Sequence, residues 1–249
     1  YKSFIYAIGD FSDWTVDERF LMNKYEVNAD SVYWWIGIGG LDSSLEYGFQ
    51  YYIDGAHKVA DPYAELLLHP NDAFIEDSVF PNLKPYPEGQ EHYISVFSTN
   101  PTWLNYDWEV TDFERPEPEK LVIYELLVRD WVETHDYQTI IDSLDYFERL
   151  GVNAIQLMPV MEFEGNESWG YNPVSHFAVD KYYGTPQKFK EFVDECHKRG
   201  MAVILDIVYN HMFGQAPLKR LYDGGTYGSN PTPDSPYFNV TSPNPVFSW

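Results

Sequence analysis

The sequence predicts a multidomain α/β protein: an antiparallel β-sandwich followed by the opening strands of a parallel barrel that stops before it can close. Three observations carry that expectation. Residues 1–109 hold short alternating strands separated by turn dipeptides, whereas from Leu121 the pattern becomes strand, helix, strand, helix, strand. Between the two lies a Pro- and Glu-rich stretch, Arg115-Pro116-Glu117-Pro118-Glu119. Finally, the aliphatic run Val203-Ile204-Leu205 empties into Asp206-Ile207-Val208-Tyr209-Asn210-His211. A buried strand thus delivers polar side chains to its carboxyl end, where α/β barrels handle ligands.

In the first region the strand candidates are Ser3–Ile8, Val32–Ile38, Glu46–Ile53 and His92–Phe97, with turns at Gly9-Asp10, Gly39-Gly40 and Asp54-Gly55. Short strands at such spacing, each with one apolar and one polar face, predict an immunoglobulin-like β-sandwich over 1–109. Residues 110–120 then form a stiff acidic linker. Leu121–Val128 reads as the first barrel strand. The helix Tyr137–Leu150 follows, with Ile140, Ile141, Leu144, Phe147 and Leu150 on one face and Gly151 as its stop. Asn153–Met158 is the second strand, ended by Pro159. Thr185 caps the next helix, Pro186 occupies its first turn, and Lys198-Arg199-Gly200 ends it. Met201–Tyr209 is the third strand.

Consecutive units of this kind require a parallel sheet with right-handed crossovers, so 121–211 is expected to be the first three strands of a TIM-type (β/α)8 barrel. Residues 212–249 are rich in Gly, Pro, Ser, Asn and aromatics without periodicity, the start of an irregular insertion. Three strands cannot close a barrel, and Met201–Tyr209 is expected to be an open edge. Ile155, Leu157, Ile204 and Ile207 should then lack partners unless the remainder of a longer chain, or a second copy, covers them.

The 249 residues carry a formal net charge of −23, from 39 Asp and Glu against 16 Lys and Arg. That balance excludes nucleic acid as a partner and disfavours membrane surfaces. The acidity reads as a solvated surface. Aromatics are plentiful, 21 Tyr, 16 Phe and 8 Trp; such rings suit the apolar faces of sugars, and they also fill cores. The single cysteine, Cys196, shares an apolar helix face with Phe189, Phe192 and Val193, which predicts a buried, inert thiol. His197, in the last turn of that helix, is explained by the helix dipole. The longest apolar run, around Val32–Leu41, is too short and too Gly-broken to span a bilayer. With no initiator Met and no signal peptide, the chain reads as a trimmed piece of a longer protein. The expected location is secreted, periplasmic or cell-surface.

Several ordered motifs in 121–211 resemble the α-amylase superfamily of glycoside hydrolases. They are Ile123-Tyr124-Glu125 through Arg129, Gly151–Pro159, Trp169-Gly170-Tyr171-Asn172-Pro173, Tyr183-Gly184-Thr185 and Gly200–His211. The resemblance implies roles for individual residues. Tyr171 would stack beneath the glucose at the cleavage point, with Trp169 beside it as a further substrate contact. His211 would hydrogen-bond the same sugar, best in the strained transition state. Asp206 would be mostly structural, orienting its polar neighbours. Asn210 would offer its side-chain oxygen to calcium, which takes roughly six to eight oxygens. The insertion after the third strand is similar to the family's small domain B.

The N-terminal part resembles the isoamylase/glycogen-binding type of module through Gly9-Asp10-Phe11-Ser12-Asp13-Trp14, Tyr51-Tyr52-Ile53-Asp54-Gly55 and Asp61-Pro62-Tyr63. The resemblance implies a sugar platform at Trp14. This chain departs from glucan-binding members at Gln50, where a lysine is usual, and at His57, where a second Trp is usual. The module is therefore expected to pack on the barrel through Asp61-Pro62-Tyr63.

The resemblance implies a retaining α-glucan hydrolase acting on α-1,4 bonds of starch, glycogen or maltooligosaccharides. Such enzymes need two carboxylates about 5–5.5 Å apart, which the family places on strands four and five. The 129 residues after Lys120 fall short of the roughly 250 of a whole barrel. The chain alone is accordingly expected to be inactive, with no catalytic residue of its own. The alternatives are a branching or debranching enzyme of the same superfamily, a non-catalytic glucan-binding protein, and a non-catalytic structural homologue.

Overall fold

The computed structural model describes residues 2–29, 31–209 and 211–223. Among them the strands are β1 (Ile5–Gly9), β2 (Asn23–Asn28), β3 (Ser31–Trp35), β4 (Glu46–Ile53), β5 (His57–Val59), β6 (Leu67–Leu68), β7 (Ile94–Ser98), β8 (Ile123–Leu126), β9 (Ala154–Leu157) and β10 (Ala202–Leu205). The helices are α1 (Val128–Trp131), α2 (Tyr137–Asp142), α3 (Leu144–Arg149), α4 (Pro186–Lys198) and α5 (Pro217–Asp223).

In the N-terminal region β1, β4, β7 and β6 form an antiparallel sheet in that order, and β5 pairs with the distal half of β4. One face buries Leu66, Leu68, Ile94 and Val96 against Phe80. The second layer is thinner than a sandwich of two full sheets. It is the two-stranded ribbon of β2 and β3, whose Trp34 packs with Ile5, Ile53 and Val59 while Tyr25, Tyr33 and Trp35 face solvent. Strand β2 alternates only two apolar residues, Tyr25 and Val27, and all six of its positions are exposed, so its apolar signal is short and faces solvent. Of the expected strands, Glu46–Ile53 has the bounds found, and Val32–Ile38 is realised as Ser31–Trp35.

From Ile123 a parallel sheet of order β10-β9-β8 aligns Leu126, Leu157 and Leu205 at its carboxyl end. One face packs against α2, α3 and α4 through Leu126, Ile155, Leu157, Ile140, Phe147 and Phe192. Ile155 and Leu157 are thus fully buried, contrary to the expectation that they would lack partners. The residues left open are on the other face and at the edge: Ile123, Glu125, Leu205 and Ile207 are exposed and Ile204 half-buried. Among the described residues β10 pairs with β9 alone, so it is an edge, but a shorter one than Met201–Tyr209. The chain leaves the ladder once Asp206 N–H has bonded Leu157 O at 3.0 Å, because β9 itself ends there before Pro159.

The expected helix over 137–150 is two. Ser143 Oγ donates back to Thr139 O at 2.8 Å and accepts from Trp131 Nε1 at 3.1 Å, and this local competition breaks the ladder between α2 and α3. The other punctuation holds. Thr185 Oγ1 accepts from Lys188 N at 3.0 Å at the start of α4. Gly151 and Gly200 both close Schellman motifs, with Val152 N to Phe147 O at 3.1 Å and Met201 N to Cys196 O at 2.9 Å. Cys196 is buried, and burial pushes its thiol far above the usual range.

The acidity is not all surface. Lys181, 2% exposed, bonds Glu162 and lies 3.4 Å from Asp72, and Asp180 is buried beside it. Asp72 belongs to the N-terminal region, so this cluster ties the two regions together. Asp194 on α4, also fully buried, accepts from Glu109 N (2.9 Å), Val110 N (3.0 Å) and Tyr106 Oη (3.0 Å). Burial alone would raise its pKa, yet these donors hold it below the ordinary range. The start of the expected linker is therefore fixed to α4 rather than free. Farther on, Phe113 stacks on His197 at 3.9 Å between centroids. Burial lowers the His197 pKa, so ring packing rather than a charge on the helix dipole accounts for that residue. Tyr63 meets Phe177 at 5.2 Å, and Ala60, Leu67 and Tyr93 pack with Val174, so the region around Asp61-Pro62-Tyr63 does contact the barrel side.

No helix among the described residues is long and apolar enough to cross a membrane.

Candidate functional site

At the carboxyl end of the parallel sheet three of the expected residues meet. Asp206 leaves the end of β10, Tyr171 comes from the long loop between β9 and α4, and His211 follows the third strand. Tyr171 Oη donates to Asp206 Oδ2 at 2.6 Å. His211 Nε2 lies 2.7 Å from the backbone oxygen of Tyr171. A carbonyl oxygen only accepts, so Nε2 carries the proton. The Tyr171 phenol is pushed up to about 12, first by its bond to the Asp206 carboxylate, then by burial. It stays a neutral donor across the physiological range.

The loop that presents Tyr171 is shaped by its own sequence. Gly170 has φ +87°, and a Cβ there would stand 2.3 Å from Pro159 O, at the end of β9. Only glycine lets the backbone press so closely. Ser168 Oγ bonds the Asn172 side chain and accepts from Gly170 N at 2.9 Å, while Asn172 Nδ2 reaches Glu164 O at 3.3 Å. Trp169, at the crest of the loop, is 61% exposed.

Two residues not anticipated as site members join them. Glu125 on β8 and Gln156 on β9 are register partners on the open face, and Gln156 Nε2 donates to Glu125 Oε1 at 3.0 Å. The Glu125 charge also reaches Tyr171. Their signal was legible as a polar residue between aliphatic neighbours in each strand. The expected strand bounds did not single it out.

Trp14 lies elsewhere. Its indole N–H bonds Asp10 Oδ1 at 3.0 Å, and its ring packs against the core of the N-terminal sheet. Asn210, the expected calcium ligand, is outside the described residues. Among those residues no three His, Cys, Asp or Glu side chains gather to hold a metal ion.

An exposed aromatic loop thus stands over a tyrosine–aspartate–histidine cluster at the carboxyl end of parallel strands, the end at which α/β barrel domains handle ligands. The sequence profile "Alpha amylase, catalytic domain" matches residues 111–244, more than half of the chain, and the chain belongs to the alpha-amylase family. Over 126 residues it is 39% identical to the malto-oligosyltrehalose trehalohydrolase of Saccharolobus solfataricus, covering 51% of this chain and 22% of that protein. Over 237 residues it is 32% identical to the 1,4-alpha-glucan branching enzyme GlgB of Vibrio cholerae, covering 91% of this chain and 29% of that enzyme. Among solved structures, the Group B Streptococcus pullulanase SAP in complex with maltotetraose superposes with a TM-score of 0.59 at 24% identity, over 85% of this chain and 31% of that one. The likeness shows a shared fold. The chain spans less than a third of the length of each of these proteins.

Proposed function

We propose that the protein carrying this chain is an α-glucan-processing enzyme that works with retention of configuration, cleaving α-1,4 bonds through a covalent glycosyl intermediate. The observation that carries the reading is the Tyr171–Asp206–His211 cluster. It sets an aromatic face and fixed hydrogen-bonding groups at the mouth of a sheet belonging to a glucan-active family. In this reading Tyr171 supplies the stacking face, His211 fixes the Tyr171 backbone and serves the sugar at the transition state, and Asp206 holds the phenol in place. Residues 1–109 are an immunoglobulin-like module, 110–120 the linker, 121–211 the first three strands of a TIM-type barrel and 212–249 the start of domain B. The catalytic carboxylate pair comes from outside residues 1–249. Both mouth carboxylates described here are already engaged, Asp206 with Tyr171 and Glu125 with Gln156.

The test is product stereochemistry. The intact protein, given maltooligosaccharides, should release or transfer α-anomers, and residues 1–249 alone should release no sugar. A β-anomeric product, or turnover by the isolated chain, would overturn the proposal. His211→Ala in the intact protein is expected to lower kcat by an amount equivalent to about 2–4 kcal/mol, with a smaller rise in KM. A change in KM alone would mean ordinary ground-state binding.

Calcium belongs to the same proposal through Asn210. A calcium-dependent rise in Tm that disappears in Asn210→Ala is expected, and an unchanged Tm would remove calcium from the account. A secreted, periplasmic or cell-surface location completes the reading, and finding the protein in the cytoplasmic fraction would refute it.

A further inference from the structure

A second recess lies between the two regions of the chain. One wall is Phe74, at the end of the turn Pro70–Phe74, with residues 75–79 after it; the other is Glu133–Asp136, following α1, with Tyr182. Its volume is about 440 Å³, within the roughly 300–1,000 Å³ of small-ligand sites. The recess continues past Phe74 and Tyr182 to Asn166 and Glu167. From Glu167 the chain reaches Tyr171 in four residues, at most about 14 Å of backbone. The recess and the mouth are therefore served by one loop.

Its chemistry is specific. Phe74 is 77% exposed, far more than an isolated phenylalanine needs to be. Tyr182 carries His135 stacked on its ring at 4.5 Å and 20°. His135 has φ +41°, a left-handed backbone that fixes the direction in which its ring is presented. Its Nδ1 lies 2.8 Å from Glu133 O, which can only accept, so Nδ1 carries the proton and Nε2 is left as an acceptor. The lining includes the acidic residues Glu76, Glu133, Asp136 and Glu167 and no lysine or arginine. Rings with a row of acceptors, and no cation, suit a neutral polyhydroxyl chain and repel an anion. The turn that carries Phe74 is held from two sides, since Asn166 Nδ2 bonds Asn71 O at 2.8 Å and the buried Lys181, next to Tyr182, pairs with Asp72. Such preorganisation reduces the entropy lost on binding.

We propose that this recess binds the distal glucosyl units of an α-glucan chain whose reacting end lies at the Tyr171 mouth, with Phe74 and Tyr182 as stacking platforms. The inference rests on the proposed substrate class and adds a length preference to it. The experiment is calorimetric binding of maltotriose and maltoheptaose built with sulfur-linked glucosyl units, which the protein cannot cleave, to the intact protein, to Phe74→Ala and to Phe74→Trp. Phe74 is exposed, so neither variant should alter folding, and Tm is recorded to confirm it. Phe74→Ala is expected to weaken maltoheptaose about tenfold and maltotriose by less than about twofold, as loss of one stacked ring predicts. Phe74→Trp should keep the preference for the longer sugar. If the wild-type protein binds both sugars and Phe74→Ala leaves maltoheptaose unchanged, or weakens both equally, the recess is not a subsite, while the proposed function stands. If the wild-type protein binds neither sugar, the substrate class falls and this inference with it.

Discussion

Lys181→Met is expected to cost about 3–5 kcal/mol of folding stability, the usual consequence of removing one partner from a buried ionic cluster. The lysine is 2% exposed and faces Glu162, Asp72 and Asp180, three carboxylates from three segments. Burial opposes its charge, yet those carboxylates outweigh burial and hold the ammonium above its ordinary range. Methionine fills similar space and leaves three buried acids facing one another. Urea unfolding of the intact protein checks this, and a loss below about 1 kcal/mol would show that the acids are protonated already.

The same cluster sets a pH dependence. Burial raises the pKa of Glu162 and Asp72, and raises Asp180 to about 7. A carboxyl whose folded pKa lies above its unfolded value binds its proton more tightly when folded. Its contribution to stability is therefore complete below the unfolded pKa, near 4, and is lost as pH rises through the folded pKa. Stability from this cluster should fall between about pH 4 and 7, opposite to the trend of an ordinary salt-bridged aspartate. In Lys181→Met the same groups lose their cation, so the fall should steepen.

Gly170→Ala is expected to be the most damaging single-methyl change near the mouth. Two costs add: a positive φ of 87° for a residue with a Cβ, and an approach of 2.3 Å to the Pro159 carbonyl. Each is of the order of 1–3 kcal/mol. The obstructing atom is backbone at the end of a buried strand, so it cannot swing aside as a side chain could. Relief comes only by lifting the loop, which carries Tyr171 away from Asp206. The expected signature is a fall in Tm together with a kcat loss as large as that of His211→Ala. Normal kcat in a protein of lowered Tm would mean that the loop relaxes without moving Tyr171.

Much of the site was legible because its parts are local. The cap at Thr185, the stops at Gly151 and Gly200 and the Gly-Tyr-Asn-Pro loop are each written within a few residues. The strand-end run Asp206–His211 likewise shows where polar groups must emerge, and Tyr171, Asp206 and His211 do come together. The helix over 137–150 was misread as continuous because the competing Ser143 bonds need Trp131 in place. Strand β2 offers only Tyr25 and Val27 as a short alternation, and its pairing with β3 is what makes it a strand. Trp14 belongs to the N-terminal module, where its indole N–H bonds Asp10 and its ring packs on the sheet core, contacts that its position in the sequence does not reveal.

The sequence by itself determined the change from antiparallel to parallel architecture, the order of the elements and three of the residues at the sheet mouth, Tyr171, Asp206 and His211. Periodicity, capping and turn chemistry act over a few residues and are visible one segment at a time. Only the tertiary structure decided which charges are buried. Asp72 and Lys181 are 109 positions apart, and Asp194 lies more than 80 positions from the amides it caps. In the sequence each is an ordinary member of an acidic composition that reads as solvated surface. Their burial follows from how the N-terminal region docks on the parallel sheet, and that docking also creates the recess between Phe74 and Tyr182. A charge becomes structural when packing removes its water and supplies a partner, and no local pattern records either event.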